Sequence, residues 1–167
     1  MKGIYTDTQK PDMGGAKFRD SGSLGKVLYL RKYRFLNRFV DLLLLILSVD
    51  IPITVKFGKN VKLHHNCYGT VINSNTVIED NVQIFHGVTI GRGDVENEKN
   101  AHDFKGFLIK ENAILCAGCT IISSHGLLVV GKGTIIGANS VLTQSTGDYE
   151  VWAGVPAKLI KKRNIED

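Results

Sequence analysis

Across residues 51–142 the sequence repeats with a period of six. Large side chains fall at Ile51, Phe57 and Leu63, at Ile72, Ile78, Ile84 and Ile90, at Ile109, Leu115 and Ile121, and at Val130, Ile136 and Leu142. Four residues after most of them stands a small or β-branched one: Val55, Val61, Cys67, Thr76, Val82, Val88, Ala113, Cys119, Thr134 and Ser140. A helix repeats at about 3.6 residues and a half-buried strand at about 2, so neither explains a six with a fixed large-then-small order. A short flat strand followed by a tight turn does, and three such units close one triangular coil of about eighteen residues in a parallel β-helix. Successive coils lie about 4.8 Å apart, so like side chains stack in columns and the narrow corners admit only small residues. Turn residues such as Gly58, Asn60, Asp80, Asn81, Gly133, Gly137 and Asn139 suit positive φ. The repeat amounts to about thirteen hexads, four coils and a little more.

Length and charge bound the rest. The 167 residues make one domain, and 43% hydrophobic content suits a soluble globular protein. The net charge of +5 comes mainly from residues 26–38 and 158–163, which favours anionic partners such as a nucleotide or phosphate. No nucleic-acid motif with interleaved aromatics appears, so nucleic acid is not an expected partner. Three cysteines, Cys67, Cys116 and Cys119, fit a reducing compartment, and an odd number argues against a complete disulfide framework. The C-x-x-C of Cys116 and Cys119 is accounted for by the repeat. Residues 1–10 lack the apolar core of a signal peptide, and a cytoplasmic protein is expected. The apolar run at residues 39–49 contains Asp41 and is far short of the roughly twenty residues that span a bilayer.

The chain divides into a polar arm at residues 1–22, a helical cap at 23–49, the β-helix at 50–147 with an excursion loop at 91–108, and a C-terminal tail at 148–167. In the cap, Leu28, Leu30, Phe35, Leu36, Phe39, Val40, Leu43, Leu44 and Leu47 recur at threes and fours opposite Arg31, Lys32, Arg34 and Arg38. These are amphipathic helices expected to cover the open first coil, with a weak membrane-surface association as the alternative. In the tail, Pro156 suits the first position of a helix and the basic residues after it suit a helix C-terminus, so a short closing helix is expected.

The interruptions of the rhythm carry the chemistry. Leu63 to Ile72 is nine residues rather than six, a bulge carrying His64 and His65; Ile90 to Ile109 is nineteen and carries His102. A smaller bulge carries Ser123, Ser124 and His125. With one coil plus the bulge separating them, residue 71 lies over residue 50, and the turn bearing His65 returns to the edge that starts at Asp50. A carboxylate beside a histidine fixes its tautomer and stabilises the imidazolium, as a general base for an alcohol requires. The other reading makes His64 and His65 exposed turn residues.

Asp50-Ile51-Pro52, Lys62-Leu63-His64-His65, Ile84-Phe85-His86-Gly87-Val88-Thr89-Ile90-Gly91 and Ala153-Gly154-Val155-Pro156-Ala157-Lys158, in that order, resemble the left-handed β-helix hexapeptide acyltransferases. Within them the chain is most similar to the serine acetyltransferases and their relatives that O-acetylate surface-polysaccharide sugars. The resemblance covers roughly residues 30–162. It implies a left-handed β-helix, a homotrimer, acetyl-CoA as acyl donor, His65 as general base and Asp50 as its orienting partner, with no metal required. It implies CoA bound between the C-terminal coils of neighbouring subunits, along Ala117, Gly118, Ala138, Gly154, Pro156, Ala157 and Lys158, with Lys162 near the nucleotide phosphates. His64, His86 and His102 then face the acceptor.

The family's serine branch has an aspartate before the catalytic histidine and an Arg-His pair before the resuming coil. Here those places read His64 and Phe104-Lys105-Gly106. A serine ammonium would lose its counter-charge, so the expected acceptor is a saccharide hydroxyl, with serine as the alternative. An amino-sugar-nucleotide N-acetyltransferase and a non-catalytic scaffold rank below. A zinc lyase on the same fold needs three converging histidines, and His65, His86 and His125 are expected on different coils and corners.

Overall fold

The structure, a computed structural model, describes residues 22–93 and 103–164. Helix α1 (Gly22–Tyr29) leads through two 3₁₀ turns, Leu30–Lys32 and Arg34–Leu36, into α2 (Asn37–Ile46). Among the described residues no helix is long and apolar enough to cross a membrane.

The hexads then become short strands: β1 (Lys56–Phe57), β2 (Lys62–Leu63), β3 (Val71–Ile72), β4 (Thr76–Ile78), β5 (Gln83–Ile84), β6 (Thr89–Arg92), β7 (Phe104–Ile109), β8 (Ile114–Leu115), β9 (Thr120–Ser123), β10 (Gly126–Val130), β11 (Ile135–Ile136) and β12 (Val141–Leu142). They form three faces of a prism. One face is ordered β1-β4-β7-β10, the second β2-β5-β8-β11, and the third β3-β6-β9-β12, all parallel. Ile72 pairs with Ile90, Ile90 with Ile121, and Leu142 with Ile121, so the isoleucine column is real. Asp50 bridges Val71, the register that one coil plus the bulge requires.

The large and small positions of the repeat fill one continuous core in which Ile84, Val88, Ile90, Ile109, Cys119 and Ile121 have no exposed surface. Burying each such aliphatic side chain contributes about 1.5–3 kcal/mol. Phe57 is the exception, half-buried against the core rather than inside it. At the bottom Leu24, Leu28, Val40 and Leu44 join the same core, so both helices close the first coil. At the top the indole of Trp152, 7% exposed, covers the last coil, and its Nε1 donates to Glu150 Oε2 at 2.8 Å.

Two expectations are corrected here. The tail is a β-hairpin, not a helix: β13 (Glu150–Gly154) adds to β11, and β14 (Ala157–Lys162) pairs with it antiparallel. Residues 156–162 can read as a helix locally, but β13 left alone would expose a row of unpaired N–H and C=O groups, which β14 satisfies. Val155 and Pro156, joined by a cis peptide, form the turn between the strands. The excursion is also narrower than residues 91–108. Gly91 and Arg92 still pair with Ile122 and Ser123, and Phe104 already pairs with Gly126.

Candidate active site along one corner

The extra residues of the first bulge form a short 3₁₀ turn, His64–Cys67. His65, Asn66 and Cys67 all lie in the left-handed region, at φ +52, +51 and +47. Non-glycine residues persist there only where the surroundings over-determine them. Cys67 is that anchor: its side chain is fully buried in the core, and its thiol lies 3.5 Å from the Ile84 carbonyl. The turn therefore holds His65 out into solvent while Cys67 points in.

The corner above it is regular. Gly87 N donates to Tyr68 O, Gly118 N to His86 O, and Asn139 N to Ala117 O, at 2.8, 3.0 and 3.0 Å. Tyr68, His86, Ala117 and Ala138 thus climb one edge of the prism at successive coils. Gly118 sits at φ +68, and a Cβ on it would lie 2.3 Å from Asn139 Oδ1, so a side chain here would be strained and would displace Asn139. The hairpin reaches the same edge, where Gly154 N donates to Ser140 Oγ at 3.0 Å and Gly137 N to Trp152 O at 2.8 Å.

At the base of the edge three imidazoles cluster. His65 meets His86 edge-on at 5.3 Å between ring centroids, so these two share one corner of adjacent coils rather than occupying different ones. His64 stacks on Phe85 at 4.3 Å, and its Nε2 lies 3.0 Å from Gln83 Oε1. With that oxygen accepting, Nε2 is the donor of the pair. Gln83 and Phe85 were not among the sequence candidates, although stacking the coils puts Gln83 directly over Lys62, two residues before His64.

Asp50 and His65 are both exposed, and among the described residues no hydrogen bond joins them. Asp50 is nonetheless tied to the end of the bulge, its N–H donating to Thr70 O at 2.9 Å and its carbonyl accepting from Ile72 N at 2.8 Å. His102 lies outside the described residues. Of the tail candidates, Gly154 and Ala157 face one another across the hairpin turn that Pro156 closes, and Lys158 pairs with Ala153. Lys162 does not join them. It pairs with Glu150, roughly 14 Å along the strand from Lys158 at about 3.4 Å per residue.

Burial pushes the thiols of Cys67 and Cys119 up to about 12, the neighbouring Cys116 adding to the effect at Cys119. The half-buried Cys116 thiol is raised in the same direction. All three are free thiols. Among the described residues no three of His, Cys, Asp and Glu converge as ligands for a metal ion.

A prism of hexad coils, with histidines at the base of one edge and small-residue turns above them, defines a left-handed β-helix of the hexapeptide-repeat type. A serine acetyltransferase of Buchnera aphidicola subsp. Schizaphis graminum is 36% identical over 117 residues, covering 70% of this chain and 42% of that protein. One from Salmonella typhimurium is 36% identical over 115 residues, covering 69% and 39%. A solved serine acetyltransferase from Brucella abortus, in complex with coenzyme A, matches with a TM-score of 0.66 at 27% identity, covering 85% of this chain and 54% of that one. No protein-family model matches the chain. These relatives support a hexapeptide-repeat acyltransferase of the serine acetyltransferase branch. It spans about half the length of the curated relatives it matches.

Proposed function

We propose that this chain transfers acetyl from acetyl-CoA to the hydroxyl of a small acceptor, with His65 as general base. The observation that carries the reading is the single edge joining His65, His86, the Ala117–Gly118 and Ala138 turns, and the hairpin turn at Gly154. An extended thioester can lie along that row of small residues with its acyl end over the imidazoles. What supports CoA as the donor is that the Brucella abortus relative is described in complex with it.

In the transfer, His65 takes the acceptor hydroxyl's proton as the oxygen attacks the thioester carbon. Backbone N–H groups hold the oxyanion of the tetrahedral intermediate, which collapses to the ester and the CoA thiolate, and the imidazolium returns the proton to sulfur. Asp50 orients the imidazole. Hydrogen bonds of this kind are often long before substrate binds, and Asp50 and His65 close to contact in the substrate complex. Lys158, exposed beside the hairpin turn, meets the nucleotide end. The working unit is a homotrimer, with the groove completed by a neighbouring subunit.

For the acceptor, the relatives favour serine over the saccharide expected from the motif departures, since those named are serine acetyltransferases. One observation keeps the saccharide as a second reading. The place of the serine branch's carboxylate is taken by His64, an imidazole tied to Gln83 and stacked on Phe85, which carries no negative charge to pair with an ammonium.

Thiol detection of CoA release from acetyl-CoA, with L-serine and with a panel of sugars and oligosaccharides, tests both. Release that depends on acceptor and disappears in His65→Ala establishes the transferase and names the acceptor. Equal release by both proteins removes His65 as the base.

A further inference from the structure

The helical cap does more than cover the first coil. In the third face, alternate carbonyls take hydrogen bonds from the coil below: Asn73 N donates to Ile90 O at 2.8 Å, and Val71 N to Val88 O at 2.9 Å. Ile51 lies in the first coil and has no coil below it. Arg31 supplies the missing donor, its Nη1 lying 2.5 Å from Ile51 O. The Arg31 side chain is 6% exposed, and its guanidinium is held from the other side by Asp41, Nη2 to Oδ1 at 2.6 Å. A buried cation is tolerated only when so paired.

Ile51 directly follows Asp50. The preceding helix α1 packs against the His64–Cys67 turn, with Leu24 and Leu28 buried in one core with Leu63 and Cys67. One short stretch, residues 24–31, therefore braces both the turn that bears His65 and the strand end that bears Asp50.

We propose that Arg31 is a positioning residue for the Asp50–His65 pair, fixing the strand end at residues 50–51 against the His65 turn through the α1 bracket. The inference rests on the general-base reading above. Asp50 receives nothing from Arg31 directly; what Arg31 sets is the height and tilt of the backbone from which its carboxylate must reach the imidazole. Misplacing a catalytic group by about 1 Å can cost about 10²-fold in rate.

The test is steady-state kinetics across pH on Arg31→Lys, Asp41→Asn and Asp50→Asn beside the wild type, with thermal melting of each. Lysine keeps the charge but cannot reach both acceptors as a planar fork does. Arg31→Lys is expected to lower kcat by about tenfold with KM for acetyl-CoA unchanged, and to move the acid limb of kcat/KM in the same direction as Asp50→Asn. Asp41→Asn, which frees the guanidinium from its outer partner, is expected to move both less. A merely structural arginine would lower the melting temperature and leave kcat and the acid limb at wild-type values, and that result overturns the proposal. If Arg31→Lys does not fold, Asp41→Asn decides alone, and an unmoved acid limb overturns it. If Asp50→Asn itself changes nothing, the general-base pairing fails and this inference with it. If Asp50→Asn moves the profile and the Arg31 and Asp41 variants do not, only the role of Arg31 falls.

Discussion

Two corners of the prism are built from the same kind of turn and are used differently. At the corner between the first and second faces, Asn60, Asn81, Asn112 and Gly133 succeed one another at φ +56, +59, +59 and +61. The upper three are bonded to the coil below: Asn81 N donates to Lys59 O, Asn112 N to Asp80 O and Gly133 N to Glu111 O. The amides extend the ladder sideways, Asn60 Nδ2 reaching Asn81 Oδ1 at 3.3 Å. The corner between the second and third faces has its own left-handed column, Gly69, Gly87, Gly118 and Asn139, at φ +71, +70, +68 and +54. There the first coil inserts the extra turn His64–Cys67. The first corner keeps one turn length in every coil and is scaffold. The second lengthens its first turn and brings His64, His65 and His86 together, and there the scaffold carries a site.

The largest effect expected from that contrast is on rate. His65→Ala should lower kcat by about 10² to 10⁴, the usual worth of a positioned general base, while leaving the melting temperature near wild type, because the side chain is exposed. Gly118→Ala should act on both stability and binding. It strains a left-handed turn and drives a methyl into Asn139, costing about 1–3 kcal/mol in urea unfolding, and it should raise KM for acetyl-CoA. Asn81→Ala at the scaffold corner puts alanine in the left-handed region at a cost of about 1–2 kcal/mol. It should leave kcat and both KM values unchanged; a change in KM there would erase the distinction between the corners.

The smallest effect at neutral pH concerns the thiols. The folded values for Cys67 and Cys119, about 12, lie above the ordinary 9.0, so their contribution to stability is complete below pH 9 and is lost as pH rises towards 12. The urea midpoint should therefore fall across that alkaline window. A thiol reagent on the native protein at pH 8 should modify Cys116 first, with Cys67 and Cys119 reacting only on unfolding. Rapid native labelling of Cys119 would mean that the corner beneath Asn139 opens.

Much of the site could be read from spacing. Counting one coil plus three residues from Asp50 gives Val71, and the two are bridged. The same offset puts His86 over His65 and Phe85 over His64, and both pairs are in ring contact. Arg31 carried no such signal, since nothing in residues 24–38 tells which of five cations turns inward.

The six-residue period by itself determined the prism, its faces and which side chains fill it, because only one geometry gives every sixth residue the same inward environment. Phe57 is the one large position of the repeat that lies half-buried against the core, although Ile51 and Leu63 of the same coil are buried. What the tertiary structure alone decided lies at the two ends, where the repeat has no neighbour to stack on. At the bottom an arginine replaced the missing coil as hydrogen-bond donor. At the top the tail after Pro156 became a strand, because the unpaired edge of β13 is satisfied by an extended partner and not by a helix, whatever the local sequence favours.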